Sequence, residues 1–232
     1  MRRSLEKEMM DLPDQPKELL QQDLRNLTII NRYLGGYRGV MRAVARLVEE
    51  QKLARFSLLD VGAGSGDIPA RIATRIRKKR IAARLVAIET EPVTVAVAAE
   101  KTRDYPEISL VQGDAMALPF RAASFDFVLA SQLLHHFSED NVVTLLRTWS
   151  KVARRTIIVS DLVRHPLAYY GIRAITRLFT RNVMTLTDAP LSVWRAFTMA
   201  EWRELFRRAD VGRFEIFWVF PFRVMALISI RS

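Results

Sequence analysis

From residue 55 onward the chain alternates short apolar runs with longer stretches whose apolar positions recur at three and four. Residues 56–61, 84–89, 108–112, 125–130 and 156–161 read as buried strands. Helices are predicted over 68–79, from Pro92 onward, and over 139–152. Pro69 falls in a first turn, where its missing N–H costs little. This alternation implies parallel strands with helices on both faces. After residue 161 the rhythm breaks. Residues 162–197 are long and partly helical, Thr198 and Glu201 form a capping box that opens a helix to 209, and apolar runs at 214–220 and 224–230 are close enough to pair antiparallel.

Ahead of this region, residues 1–22 are polar, with Pro13 and Pro16, and are expected to be loosely held. Residues 24–53 have helical periodicity, interrupted at Gly35-Gly36. The expected organisation is an N-terminal helical cap segment over 1–54 and an α/β domain over 55–232, with a cap insertion at about 162–197.

Composition narrows the chemistry. The 232 residues suit one α/β domain, and the absence of cysteine excludes disulfides, thiolate metal sites and a cysteine nucleophile. No metal site is expected. The first eight residues lack the apolar core of a signal peptide, and no run reaches ~18 uninterrupted apolar residues, so a cytoplasmic protein is expected. The net charge of +11 reads first as a solvated arginine-rich surface, next as a peripheral contact with anionic membrane, and last as nucleic-acid binding.

Three strand ends carry candidate chemistry. Gly62-x-Gly64-x-Gly66 follows the first strand and opens a helix, so its backbone can turn tightly and a ligand can approach. A nicotinamide fingerprint would have a further glycine where Asp67 stands. An aspartate there disfavours a pyrophosphate and suits a ligand with an ammonium group. Glu89 ends the second strand, where an acid can accept from both hydroxyls of a ribose. Asp114, just past the third strand, can accept from an adenine amino group.

Leu58-Leu59-Asp60-Val61-Gly62-Ala63-Gly64-Ser65-Gly66 resembles motif I of the class I S-adenosylmethionine (SAM)-dependent methyltransferases. Ile88-Glu89-Thr90-Glu91-Pro92 is similar to their second motif, and Gly113-Asp114-Ala115 with Leu118-Pro119-Phe120 to their third. Residues 124–137 resemble the strand-four region of the small-molecule branch. The resemblance implies a Rossmann-like seven-stranded sheet of order 3-2-1-4-5-7-6 with strand seven antiparallel. It also implies SAM as cofactor. Asp60, Gly62, Ala63, Gly64 and Gly66 would hold its methionine portion, Glu89 and Thr90 the ribose, Asp114 and Ala115 the adenine, with Ser131 near the methyl. Helices around Asn26, Asn31, Arg32, Tyr33 and Arg38 would cross the cofactor mouth.

Strand four ends in Ala130-Ser131-Gln132-Leu133, without the Asn/Asp-Pro-Pro-aromatic stretch of enzymes that methylate nucleic-acid or protein nitrogen. The quinone-biosynthesis branch shares Leu118-Pro119-Phe120 and Phe125-Asp126, but its Phe-Gly-Leu-Arg-Asn stretch is replaced here by Gln132-Leu133-Leu134-His135-His136. The acceptor expected first is therefore a small hydrophobic phenol or quinol, methylated on oxygen, with carbon or nitrogen next. The rivals are an RNA methyltransferase, with a basic groove leading to the methyl, and a non-catalytic SAM-binding partner protein.

His135, His136 and His165 are the candidate bases, falling just after strands four and five. Adjacent residues of a helix point apart, so at most one of the first two is expected to meet substrate. In the insertion, Leu167, Tyr170, Gly171, Ile172, Ala174, Ile175, Leu178 and Phe179 are expected on one apolar face, with Arg173, Arg177 and Arg181 opposite. Such a helix reads as a packed cap, or as a lid over a lipid-like acceptor touching anionic membrane. Nothing in the sequence fixes an oligomeric state.

Overall fold

The computed structural model describes residues 1–231. Its sheet has the order β3-β2-β1-β4-β5-β7-β6. The strands are β1 (Arg55–Val61), β2 (Ala82–Glu89), β3 (Ile108–Gln112), β4 (Phe125–Ser131), β5 (Ala153–Leu162), β6 (Gly212–Val219) and β7 (Arg223–Ile230). The first five run parallel, and β7 lies antiparallel to both β5 and β6, as the resemblance implies. Parallel strands are buried on both faces, which is why they read as continuous apolar runs.

Side chains alternate across the sheet. Leu59 and Val61 of β1 pack with Trp149 of α5 (Glu139–Val152) and Trp202 of α8 (Met199–Ala209). Leu58 packs on the other face against Val44 of α2 (Gly36–Glu50) and Ile72 of α3 (Asp67–Lys79). Each such fully buried side chain contributes about 1.5–3 kcal/mol. The Thr198 capping box forms in both directions. α4 (Pro92–Thr102) begins with Pro92 and is capped by Glu91.

Two expectations need correction. The polar start is not loose. α1 (Lys17–Tyr33) begins well before residue 24, and Glu8 is only 1% exposed. Ahead of α1, the chain lies on α7 (Val183–Arg195), where Asp188 accepts from the Met9 and Met10 N–H groups. Charged and polar residues hide this anchoring in the sequence, because much of it is hydrogen bonding, with only Met9 and Met10 packing on the Leu20, Leu24 and Met184 cluster.

The second correction concerns α6 (Pro166–Phe179). Only Ile172 and Thr176 are buried on it. Leu167, Tyr170, Ile175, Leu178 and Phe179 are exposed, Leu178 at 91%. At 100° per residue, Leu167, Gly171, Ala174 and Leu178 fall opposite Ile172 and Thr176. The apolar residues therefore do not share one packed face. Seven of the eight, all but Ile172, are exposed, beside exposed Arg173, Arg177 and Arg181.

Candidate active site

A cleft of about 290 Å³ opens at the carboxyl ends of β1, β2 and β4. Open parallel sheets bind ligands at this edge, beside the switch in strand order. A larger apolar cavity of about 380 Å³ lies between α2 and α3 at the amino ends of β1 and β2, away from these groups.

The floor of the cleft is motif I. Gly62 and Gly64 have φ of +66° and +53°, a conformation that favours glycine. A Cβ at Gly62 would lie 2.7 Å from Leu133, whereas Gly64 has open space before it. Asp60 is 1% exposed, and neither carboxylate oxygen has a hydrogen-bond partner. Burial, with the nearby Glu89 charge adding, pushes Asp60 up to about 8. The Ser131 hydroxyl, at the end of β4, is also buried without a partner. These orphaned atoms face a cleft that a donor-rich, cationic ligand would complete. Glu89 accepts from the Gly64 N–H at 2.9 Å and the Thr90 N–H at 2.8 Å, which fixes its carboxylate at the rim.

Asp67 has a different task from the one its position suggested. It accepts from Thr28 Oγ1 at 2.6 Å, Ser65 Oγ at 2.8 Å, Tyr37 Oη at 2.9 Å and Lys101 Nζ at 2.8 Å. Burial alone would raise its pKa, but the hydrogen bonds from Lys101, Thr28 and Ser65 outweigh burial and hold it below the usual range. The carboxylate ties α1 and α2 onto the glycine loop, and its charge is already paired with Lys101.

The opposite wall is made by a 3₁₀ turn over Leu134–His136 and the N-terminal segment. His135 Nδ1 lies 2.6 Å from Asp161 Oδ1, and Asp161 Oδ2 accepts from the Leu134 and His135 N–H groups. Asp161 is fully buried, yet the His135 charge and hydrogen bond hold its pKa low. His136 Nδ1 lies 2.8 Å from Asp11. The two imidazoles do not point apart. Their centroids are 4.3 Å apart, and both Nε2 atoms turn toward Glu8.

Several expected residues lie elsewhere. His165 caps α6 by accepting from the Leu167 N–H and stacks on Phe222, away from the cleft lining. Asp114 accepts from the Met116 N–H, and Ala115 accepts from the Trp149 indole, both beside the cleft and not on its lining. Gly66 starts α3 with φ +75°, and a Cβ there would meet Thr102 and Ala98 of α4, so it serves helix packing. Asn31 of α1 does reach the cleft, where it accepts from Gln132 and Arg223. Asn26 instead donates to Thr180 and Thr185.

The lining contains seven carboxylates, from Glu8, Asp11, Asp23, Asp60, Asp67, Glu89 and Asp188, and neither lysine nor arginine. In a chain of net charge +11, the cleft is a local reversal of sign. Glu8, Asp11, Asp23 and Asp188 carry no motif in the sequence and were legible only once the N-terminal segment was seen folded onto α7.

Residues 58–156 match the family described as methyltransferase domain. This stretch is a methyltransferase domain. The glycine loop, Glu89 and the β4 end all lie within it, whereas Glu8, Asp11 and Asp161 lie outside it. A relative from Thermosynechococcus vestitus, a 2-phytyl-1,4-naphtoquinone methyltransferase, is 33% identical over 67 residues, 29% of this chain. The match spans 28% of that relative's length. Magnesium protoporphyrin IX methyltransferase from Synechocystis, solved with S-adenosylhomocysteine (SAH), has the same fold at a TM-score of 0.60 and 19% identity, covering 92% of this chain and 87% of that one. A structure described as an O-methyltransferase from Nostoc punctiforme aligns at a TM-score of 0.65 and 18% identity, over 99% of this chain and 64% of that one. At these identities the shared property is the fold.

Proposed function

We propose that this chain transfers the methyl group of SAM to a hydroxyl of a small, largely apolar acceptor of phenol or quinol type. The carrying observation is the acidic cleft at the glycine loop. SAM brings an ammonium and a sulfonium, and both favour a lining of carboxylates. Asp60 and Ser131 supply buried acceptors that such a ligand satisfies, and Glu89 stands where ribose hydroxyls bind in this fold. Asp114 and Ala115, one strand further, remain the proposed adenine side.

Transfer to carbon-bound oxygen needs an aligned nucleophile and removal of its proton. His135 and His136 face the cleft on the wall opposite Asp60, each held by a carboxylate at Nδ1 in the arrangement that orients a base. His165 has no place in this reading. The acidic lining weighs against an RNA acceptor, whose phosphates would be repelled at the mouth. The test is turnover of SAM to SAH with a panel of phenols and quinols. Tight SAM binding without turnover on any acceptor would favour the rival of a SAM-binding partner protein, and salt-dependent RNA methylation would overturn the acceptor class.

We further propose that the outward face of α6 rests on anionic membrane. Among the described residues no helix is long and apolar enough to cross a bilayer. Exposed Leu167, Tyr170 and Leu178 beside Arg173, Arg177 and Arg181 form the apolar and basic halves of an interfacial helix. Phe220, 77% exposed, extends the surface near Phe222, on which His165 at the start of α6 stacks. Flotation with phosphatidylserine vesicles at low salt should retain the protein, and Leu178→Glu should release it. Equal recovery with neutral vesicles, or retention of the variant, would remove this reading.

A further inference from the structure

The histidine wall poses an electrostatic problem. Each imidazole presents Nδ1 to a carboxylate, His135 to Asp161 at 2.6 Å and His136 to Asp11 at 2.8 Å. A carboxylate only accepts, so each Nδ1 carries the hydrogen, and each Nε2 of a neutral ring is a lone pair. Both Nε2 atoms face the Glu8 carboxylate, at 3.6 Å and 3.9 Å. Glu8 Oε2 accepts from Ser192, but Oε1 is buried with no donor. With both rings neutral and Glu8 ionised, three electron pairs would converge here, so a proton or a metal ion must lie among them.

Arg195 does not resolve this. Its guanidinium is 3.7 Å from Glu8 Oε1, but its N–H groups are directed at the Glu6, His135 and His136 carbonyls. Arg3 is likewise directed at the Arg195, His135 and Phe137 carbonyls. Against these two cations stand Glu8, Asp11, Asp161 and Asp188, so the pocket tolerates further positive charge.

We infer that Glu8, His135 and His136 bind a divalent first-row transition ion, with its open positions facing the cleft. One ligand atom from each residue lies within 4.8 Å of the others. Two imidazoles and one carboxylate form a set that suits Zn²⁺, Mn²⁺, Fe²⁺ or Co²⁺ and not Mg²⁺, which prefers oxygen. Ligands at about 2.1 Å in tetrahedral geometry stand roughly 3.3 Å apart. Closing the set on an ion thus needs side-chain rotations of about 1 Å. Asp161 and Asp11 supply the outer carboxylates that fix imidazole ligands. The sequence offers no sign of the set, because Glu8 lies far from the histidine pair in the chain. The ion would polarise an acceptor hydroxyl and favour its ionised form. That role rests on the methyltransferase reading, whereas ion binding does not.

The test uses the full chain without SAM. Metal-stripped protein is titrated with Co²⁺ and then with Zn²⁺, read by visible absorption and calorimetry. One ion per chain is expected. Glu8→Gln and His136→Ala should each weaken binding by tenfold or more, and Asp161→Asn by 10–100-fold as an outer-carboxylate loss. His165→Ala should bind as the parent does. Melting curves check that the variants fold, and His136→Ala, at a part-exposed position, is the informative one if the others do not. Absence of stoichiometric binding at 100 µM ion, or unaltered binding in both Glu8→Gln and His136→Ala, overturns the proposal and leaves protons as the charge that settles the cluster. Loss of turnover with intact ion binding would instead count against the methyl-transfer reading.

Discussion

Asp60→Asn should stabilise the ligand-free protein while weakening its hold on SAM. Asp60 is fully buried and its pKa is raised from 3.8 to about 8, first by burial and then by Glu89. Between those values the carboxyl is protonated in the fold and ionised in the unfolded chain. Raising pH through that window therefore favours unfolding, and the penalty is present in full only above about 8. At pH 7 the mismatch spans roughly three units, or about 4 kcal/mol at ~1.4 kcal/mol per unit. The asparagine amide has one more N–H to leave unpaired than a protonated carboxyl, which returns about 1–3 kcal/mol. A net gain of about 2 kcal/mol remains, worth roughly 4–8 °C in a chain of this size. Denaturant titration from pH 5 to 8 is the assay. The parent should lose stability as pH rises, with Asp60 contributing up to ~1.4 kcal/mol per unit, and the variant should lose that share of the slope. Calorimetry with SAM should show at least about tenfold weaker binding, because asparagine cannot give the carboxylate that the cationic ligand would re-ionise. A variant less stable than the parent at pH 7, with an unaltered slope, would mean that Asp60 is ionised in the free protein and that the reasoning fails.

Asp161→Asn removes the carboxylate that fixes His135 and should lower kcat by roughly 10²–10⁴ with an altered pH–rate profile; a profile of unchanged shape would assign Asp161 to folding alone. Asp67→Ala cuts the links from the glycine loop to Thr28, Tyr37 and Lys101, so KM for SAM should rise about tenfold while kcat is kept, by analogy with lost positioning elsewhere. Equal loss in both constants would contradict that division. Deleting residues 1–12 removes Glu8 and Asp11 but none of the glycine loop. SAM affinity should then survive within threefold while acceptor turnover falls by about tenfold or more, as measured by calorimetry beside steady-state rates.

What could be read in the sequence followed from where burial shapes composition. β1, β2, β4 and β5 were visible because strands covered on both faces must be apolar, and the glycine loop because positive φ and close approach select glycine. Glu89 was visible because it terminates a strand. Asp67 was misassigned because a carboxylate at a helix start can serve a ligand or a neighbouring helix, and only packing shows that Thr28 and Tyr37 already occupy it. The histidine pair was noticed, but its geometry was misjudged. A 3₁₀ turn flanked by Asp161 on one side and Asp11 on the other brings both rings to Glu8, which helical projection does not anticipate. α6 was misjudged for the opposite reason. Its apolar residues were expected on one face, yet Ile172 and Thr176 suffice to seat it, and the remaining apolar surface stays outside.

The cleft divides by origin as well as by charge. Its cofactor side is built from strand ends, at Asp60, Gly62, Glu89 and Ser131, and these are held by the sheet. Its other wall, the acceptor side under the proposed function, includes Glu8, Asp11, Asp188 and Ser192, on the N-terminal segment and α7, which are tied to each other through hydrogen bonds. A sheet edge is rigid because moving one strand breaks its ladders, whereas the N-terminal segment can shift by breaking a few bonds at about 1 kcal/mol each. Under the proposed function, such a construction would keep the cofactor fixed and leave the acceptor wall adjustable. The matched stretch, residues 58–156, holds the glycine loop, Glu89, Ser131 and the histidine pair, whereas Glu8, Asp11, Asp188 and Ser192 of the cleft lie outside it. The glycine loop and Glu89, inside the matched stretch, sit in the rigid half, and the carboxylates of the N-terminal segment and α7 sit in the half that can shift.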